Sequence, residues 1–78
     1  MFLEILSAEE KIFSGEVDSV ILPGTDGQFQ VLNNHAPIIS SLTNGEIKYS
    51  DKSKNETLEI NGGIVEVLDN KVSALIEK

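Results

Sequence analysis

His35 is the one side chain in this 78-residue sequence suited to acid–base chemistry near neutral pH, and it is the only histidine. There is no cysteine, so a nucleophile would have to be a serine, a threonine, a lysine or a carboxylate. A Ser-His-Asp triad would have to use His35, and no Gly-x-Ser-x-Gly elbow is present to offer it a serine. One histidine and no thiolate also exclude a histidine-rich or cysteine-built metal site within one chain. The thirteen acidic residues are mostly spread singly along polar faces. The pairs Glu9-Glu10 and Glu16/Asp18 read as solvated side chains, not as an acid and a base. The glycines of Leu22-Pro23-Gly24-Thr25-Asp26-Gly27 lack phosphate-loop spacing and no lysine follows them, so this segment reads as a turn between strands. No catalytic residue, cofactor site or metal site is legible.

What the chain does must therefore be done by its surfaces, and the elements that hold those surfaces are strands. Glu46-Ile47-Lys48-Tyr49-Ser50 and Thr57-Leu58-Glu59-Ile60-Asn61 alternate apolar with polar. Lys71 to Glu77 puts Val72, Ala74 and Ile76 on one face, with Leu75 alone on the other. Such alternation is that of a strand with one face in a core and one in water. Phe2 to Leu6, Val17 to Leu22 and Ile64 to Leu68 are apolar on both faces, which suits central strands or strands covered on their second side. Turn residues stand at Ser14-Gly15, Pro23-Gly24 with Asp26-Gly27, Asn33-Asn34, Asn44-Gly45 and Asp69-Asn70. Asn61-Gly62-Gly63 suits either a hairpin turn or a glycine bulge that bends one long strand. The polar run Ser50 to Glu56 reads as an exposed, mobile hairpin tip. No segment of ten or more residues has helical spacing and caps. The reading is one all-β domain over residues 1–78, a small β-sandwich of about 8–10 short, mostly antiparallel strands.

Composition narrows the partners. Six basic against thirteen acidic residues give a net charge of −7, which disfavours nucleic acid and anionic lipid, since both need clustered cations. No apolar run approaches the ~18 residues of a membrane-spanning helix. Met1-Phe2-Leu3-Glu4 has neither the basic start nor the apolar stretch expected of a secretory signal. Pro37 lacks an amide hydrogen and biases Ala36 toward extended geometry, so His35 is presented on a stiff, non-helical segment. It reads either as a loop histidine satisfying nearby backbone groups or as a contact residue on a binding face.

The run Leu22-Pro23-Gly24-x-x-Gly27-x-Phe29-x-Val31-Leu32-x-x-His35-Ala36-Pro37, followed by Leu42-x-x-Gly45-x-Ile47, resembles the epsilon subunit of F-type ATP synthases. The likeness extends upstream through Ser7-Ala8-Glu9 and Phe13-Ser14-Gly15, and downstream through Asn61-Gly62-Gly63-Ile64-Val65-Glu66-Val67. It implies an amino-terminal β-sandwich of about ten strands with no bond chemistry of its own. It also implies a place at the foot of the central stalk, beside the gamma subunit and on the ring of c subunits, where rotation couples proton flow to ATP synthesis. The expected location is peripheral, on the cytoplasmic face of a bacterial plasma membrane, with no direct insertion, no cofactor and no small-molecule substrate.

By the same resemblance, Thr25, Asp26 and Gln28 face the c-ring, and Ser7, His35 and Ser40 lie on the gamma side. Family members often carry a carboxylate where this chain has Gln28, so Asp26 is expected to supply that charge. Apolar second faces are expected to be covered by gamma. Many members continue into two carboxy-terminal helices that inhibit ATP hydrolysis or bind ATP; a chain ending at Lys78 is expected to do neither. The competing readings are a stand-alone β-sandwich that binds protein or ligand, and a small hydrolase using His35. Scattered aromatics (Phe2, Phe13, Phe29, Tyr49) offer the first no lined groove.

Overall fold

The period-two pattern folds into nine strands and no helix in the computed structural model, which describes residues 1–78. In chain order these are β1 (Phe2–Leu6), β2 (Lys11–Glu16), β3 (Ser19–Gly24), β4 (Gly27–Leu32), β5 (Ile38–Leu42), β6 (Gly45–Ser50), β7 (Asn55–Ile60), β8 (Gly62–Leu68) and β9 (Lys71–Glu77). Hydrogen bonds join all nine into one curled sheet. The sheet folds into two layers because β3 changes neighbour along one edge. Ser19, Val20 and Ile21 pair with Ser50, Tyr49 and Lys48 of β6, whereas Gly24 pairs with Leu42 of β5. The first layer runs β2-β1-β9-β8-β5 and the second β4-β3-β6-β7. Only β1 and β9 pair in parallel. The expected all-β, mostly antiparallel architecture is therefore present.

The core lies between the layers, and strand alternation fills it. Leu3, Ile5, Leu42, Val65, Val67, Val72, Ala74 and Ile76 point in from the first layer, and Val20, Leu22, Val31, Ile47 and Ile60 from the second; all are buried in one cluster. The three segments that read as apolar on both faces correspond to β1, β3 and β8, each paired on both edges. At the open side of the sandwich, the rings of Phe13 on β2 and Tyr49 on β6 meet with centroids 4.5 Å apart. Burial there, and then the charge of Glu56, raise the Tyr49 phenol above its ordinary pKa.

Asp69 and Asn70 both have positive φ (52° and 60°) and close the two-residue β8–β9 hairpin, with Leu68 opposite Lys71. At the β6–β7 tip the Asp51 carboxylate accepts hydrogen bonds from the Ser53 N–H, the Ser53 hydroxyl and the Lys54 N–H. Those bonds hold its carboxyl below the usual range. Asn61-Gly62-Gly63 is not a hairpin, since β7 pairs with β6 while β8 pairs with β9 and β5. The glycines carry the chain from one layer to the other. A Cβ on Gly63 would collide with the Leu75 carbonyl oxygen and lie 2.9 Å from Ile76 Cα, so only glycine lets β8 approach β9 this closely.

Two turn assignments need correction. Ser14-Gly15 lies inside β2, paired with Glu4 and Leu3. A Cβ on Gly15 would stand 3.3 Å from the Phe13 ring, so the aromatic side chain covers the glycine and keeps it in the strand. Pro23-Gly24 ends β3, and the turn proper is Thr25-Asp26. Pro23 is tolerated in β3 because its pairing edge toward β6 has already ended at Ile21.

Candidate functional site

The outward faces of the two layers differ in chemistry. Register alignment places Leu6, Leu75, Ile64 and Ser41 in one row across β1, β9, β8 and β5. The next row is Glu4, Ser73, Glu66 and Ile39. Leu68 lies at the far end of the same face, opposite Lys71. Ile39 is 69% exposed, and Ile64, Leu68 and Leu75 are each about half exposed (48%, 47% and 52%). The second layer instead presents Gln28, Gln30, Glu46, Lys48, Thr57 and Glu59 to solvent, with Leu32 as its one exposed large apolar residue and Ile21 half-buried between Gln30 and Lys48.

Isolated apolar side chains on a surface are ordinary, but neighbours in register form a patch that favours a partner. Glu66 lies inside the patch, between Ile64 and Leu68 on β8 and opposite Ile39. Glu4 and the Lys71 ammonium stand at its margin, 3.8 Å apart, with the ammonium 5.8 Å from the centre of the Phe2 ring. The face is thus apolar area with one carboxylate set into it. The site residues named from the sequence do not include Ile39, Ile64, Leu68 and Leu75, which the structure leaves exposed. The available signals were Leu75 standing out of phase with its strand and the two-faced apolarity of Ile64 to Leu68.

The residues read as facing the c-ring come together. Thr25 and Asp26 form the β3–β4 turn and Gln28 follows on β4, all exposed. The turn is fixed to β5, for the Thr25 N–H donates to the Ser41 carbonyl at 3.1 Å and the two hydroxyls lie 2.9 Å apart. The exposed Asp26 side chain makes no hydrogen bond or ion pair within the chain.

Ser7, His35 and Ser40 are spread along the first layer instead. Ser7 closes the β1–β2 turn: its N–H donates to the Glu10 carbonyl at 2.9 Å, and its hydroxyl accepts from the Glu10 N–H at 3.3 Å. This is the end of the layer where β8 begins. His35 lies beyond the opposite end, because the neighbouring Asn34 N–H donates to the side chain of Asn70 in the β8–β9 turn. Its ring nitrogen Nδ1 lies 2.7 Å from the Ala36 carbonyl oxygen and the ring is exposed. That is a local backbone contact, with no serine or carboxylate poised beside it. Ser40 lies between these two, half-buried on β5 opposite Val65, its hydroxyl donating to the Ser41 carbonyl at 3.1 Å. No group of three or more histidine, cysteine or acidic side chains converges to hold a metal ion.

Residues 1–78 match the family model described as the β-sandwich domain of the ATP synthase delta/epsilon chain. Over 76 residues the sequence is 43% identical to the ATP synthase epsilon chain of Chlorobium limicola, covering 96% of this chain and 86% of that one. It is 39% identical to the epsilon chain of Leptospira interrogans over 75 residues, again covering 96% of this chain but only 59% of that relative. The fold is similar to a chain in the Euglena gracilis mitochondrial ATP synthase (TM-score 0.90, 23% identity, 97% of this chain and 49% of that one). It is likewise similar to a chain in the central stalk and c-ring of the Tetrahymena thermophila mitochondrial enzyme (TM-score 0.85, 13% identity, 99% and 63%).

Proposed function

Because this chain belongs to the β-sandwich family of ATP synthase delta/epsilon chains, we propose that it is a non-catalytic subunit of the central stalk of an F-type ATP synthase. In this reading it joins the gamma subunit to the ring of c subunits, and so helps couple proton flow to ATP synthesis. The observation that carries the reading is the uneven surface: an apolar face on one layer and a free, acidic hairpin turn at its end. The apolar face of the first layer suits gamma. Ser7, Ser40 and His35 mark its two ends and the strand along its margin. The β3–β4 turn, with Asp26 unpaired between Thr25 and Gln28, suits the polar loops of the c-ring.

The subunit's work is mechanical: a stiff two-layer body, held on two sides, passes rotation between its neighbours. Its place is peripheral to the membrane, on the cytoplasmic side in a bacterium, and no helix of the structure is long and apolar enough to cross a bilayer. Co-purification tests the reading. The chain is expected to retain the gamma subunit of its own ATP synthase on a column, and together the two are expected to retain the c-ring. A chain that holds neither would overturn the proposal.

A further inference from the structure

We propose that the free edge of β5, from Pro37 to Ser41, is a strand-acceptor site at which an extended segment of the gamma subunit adds a strand to the first layer. This rests on the rotor reading above and specifies how that partner is gripped.

Along one edge β5 is paired throughout with β8, from Ile38 opposite Val67 to Leu42 opposite Gly63. Along the other it meets only Gly24 of β3, opposite Leu42. The direction of the backbone groups follows from two hydrogen bonds. The Ser41 carbonyl accepts from the Thr25 N–H at 3.1 Å, and the Thr43 N–H donates to the Pro23 carbonyl at 2.9 Å. Odd-numbered residues therefore direct their backbone groups away from β8. In a strand the N–H and C=O of one residue share an edge and alternate residues share a direction. The Ile39 N–H and C=O, the Ser41 N–H and the Pro37 C=O thus point outward, where no strand lies. Pro37, which has no N–H, ends this ladder on one side, and the Thr25–Ser41 contact ends it on the other.

Exposed edges normally carry charge or some other block against pairing. Edge strand β2 has Lys11 and Glu16, β7 has Glu56 and Glu59, and β4 exposes Gln28 and Gln30. Ile38-Ile39-Ser40-Ser41-Leu42, like β4, has no charged residue, but where β4 turns glutamines outward β5 carries Ile39, the most exposed large apolar side chain in the protein. A second copy of this chain is a poor occupant, since each would bring a net charge of −7. The occupant is instead an extended segment of a different subunit, with an apolar side chain opposite Ile39, continuing the apolar face formed by Ile64 and Leu75. Backbone pairing gives such contacts their strength, and the flanking side chains their selectivity.

Amide hydrogen exchange on the full chain, free and bound to gamma, tests this directly. The Ile39 and Ser41 amides are expected to exchange freely in the isolated chain and to slow by about 100-fold or more in the complex. The Ser40 amide, which faces β8, is expected to be protected in both. Ile39→Pro and Ile39→Ala both remove the outward side chain, but only proline removes the outward N–H, which the β5–β8 ladder does not use. Both are expected to fold, and Ile39→Pro is expected to bind gamma about tenfold more weakly than Ile39→Ala. A complex in which the Ile39 and Ser41 amides still exchange freely overturns this proposal while leaving the rotor reading intact. Equal binding by the two variants does the same. Protection that appears without gamma, together with a dimer mass, overturns it in favour of self-pairing. Failure of the wild-type chain to bind gamma at all overturns the rotor reading, and this proposal with it.

Discussion

Replacing Ile64 and Leu75 together by threonine separates binding from folding. The two side chains lie directly opposite each other on the outward face of β8 and β9, and about half of each is exposed in the free chain. Fully burying such a side chain contributes about 1.5–3 kcal/mol. Covering the exposed half under a partner is then worth about 0.8–1.5 kcal/mol each, and about 1.5–3 kcal/mol for the pair. Threonine is β-branched, as strands favour, but gives up most of that apolar area. The double variant should therefore bind gamma about 10- to 150-fold more weakly. In the free chain it loses one cross-strand apolar contact, about 0.2–1 kcal/mol. Calorimetric titration with gamma measures the first effect and thermal melting of the isolated chain the second. Lys48→Thr, on the outward face of the second layer, serves as the control and should change neither. A dissociation constant within twofold of wild type would refute the assignment of this face. Binding lost only in step with the melting temperature would also refute it.

Gly63→Ala should destabilise the chain by about 3 kcal/mol or more, because the new methyl meets the backbone of β9, which cannot move aside as a side chain would. Gly62→Ala has a similar φ but meets only ordinary contacts at 3.5 Å or beyond. It should cost about 1–2 kcal/mol, so equal urea midpoints for the two would contradict the close approach of β8 to β9. The Asp51 carboxyl should titrate below its ordinary 3.8 in a carbon-detected NMR pH series. A depressed native pKa means that its contribution to the β6–β7 tip is complete above the unfolded value and fades as pH falls through the native one. Asp51→Asn should remove that pH dependence, and an ordinary midpoint in the wild type would count against the hydrogen-bonded tip. Asp26→Lys with Gln28→Lys should leave the melting curve unchanged, since both side chains are exposed on the turn. The same pair should weaken retention of the c-ring several-fold, and undiminished retention would remove the turn from that contact.

The strands were legible because burial on one face writes a period of two into the residues, and β6, β7 and β9 carry it plainly. The Asp69-Asn70 hairpin was legible because its turn needs positive φ at both positions, which asparagine and aspartate tolerate. Gly15 misled for a physical reason. A Ser-Gly pair looks like a turn, but an aromatic ring two residues before the glycine can shield it inside an edge strand. Gly62-Gly63 was ambiguous because a hairpin and a corner demand the same permissive backbone. Only the pairing partners of β7 and β8 decide between them.

The binding surfaces were the least legible part, since exposure belongs to the order of strands and not to any segment by itself. Ile38 and Ile39 are alike in type, yet Ile38 packs against the core and Ile39 faces outward. Ile39 stands at an open edge because β3 leaves the edge of β5 at Gly24, after a single residue pair. Had β3 continued beside β5, Ile39 would lie within a covered sheet and its backbone would be satisfied. The same departure creates the Thr25-Asp26 turn and pins it to Ser41. One corner in the sheet therefore sets both surfaces of the proposed rotor subunit, the open edge and the acidic turn. A change that moved this corner should disturb both contacts together, whereas Ile39→Pro and Asp26→Lys should each disturb one alone.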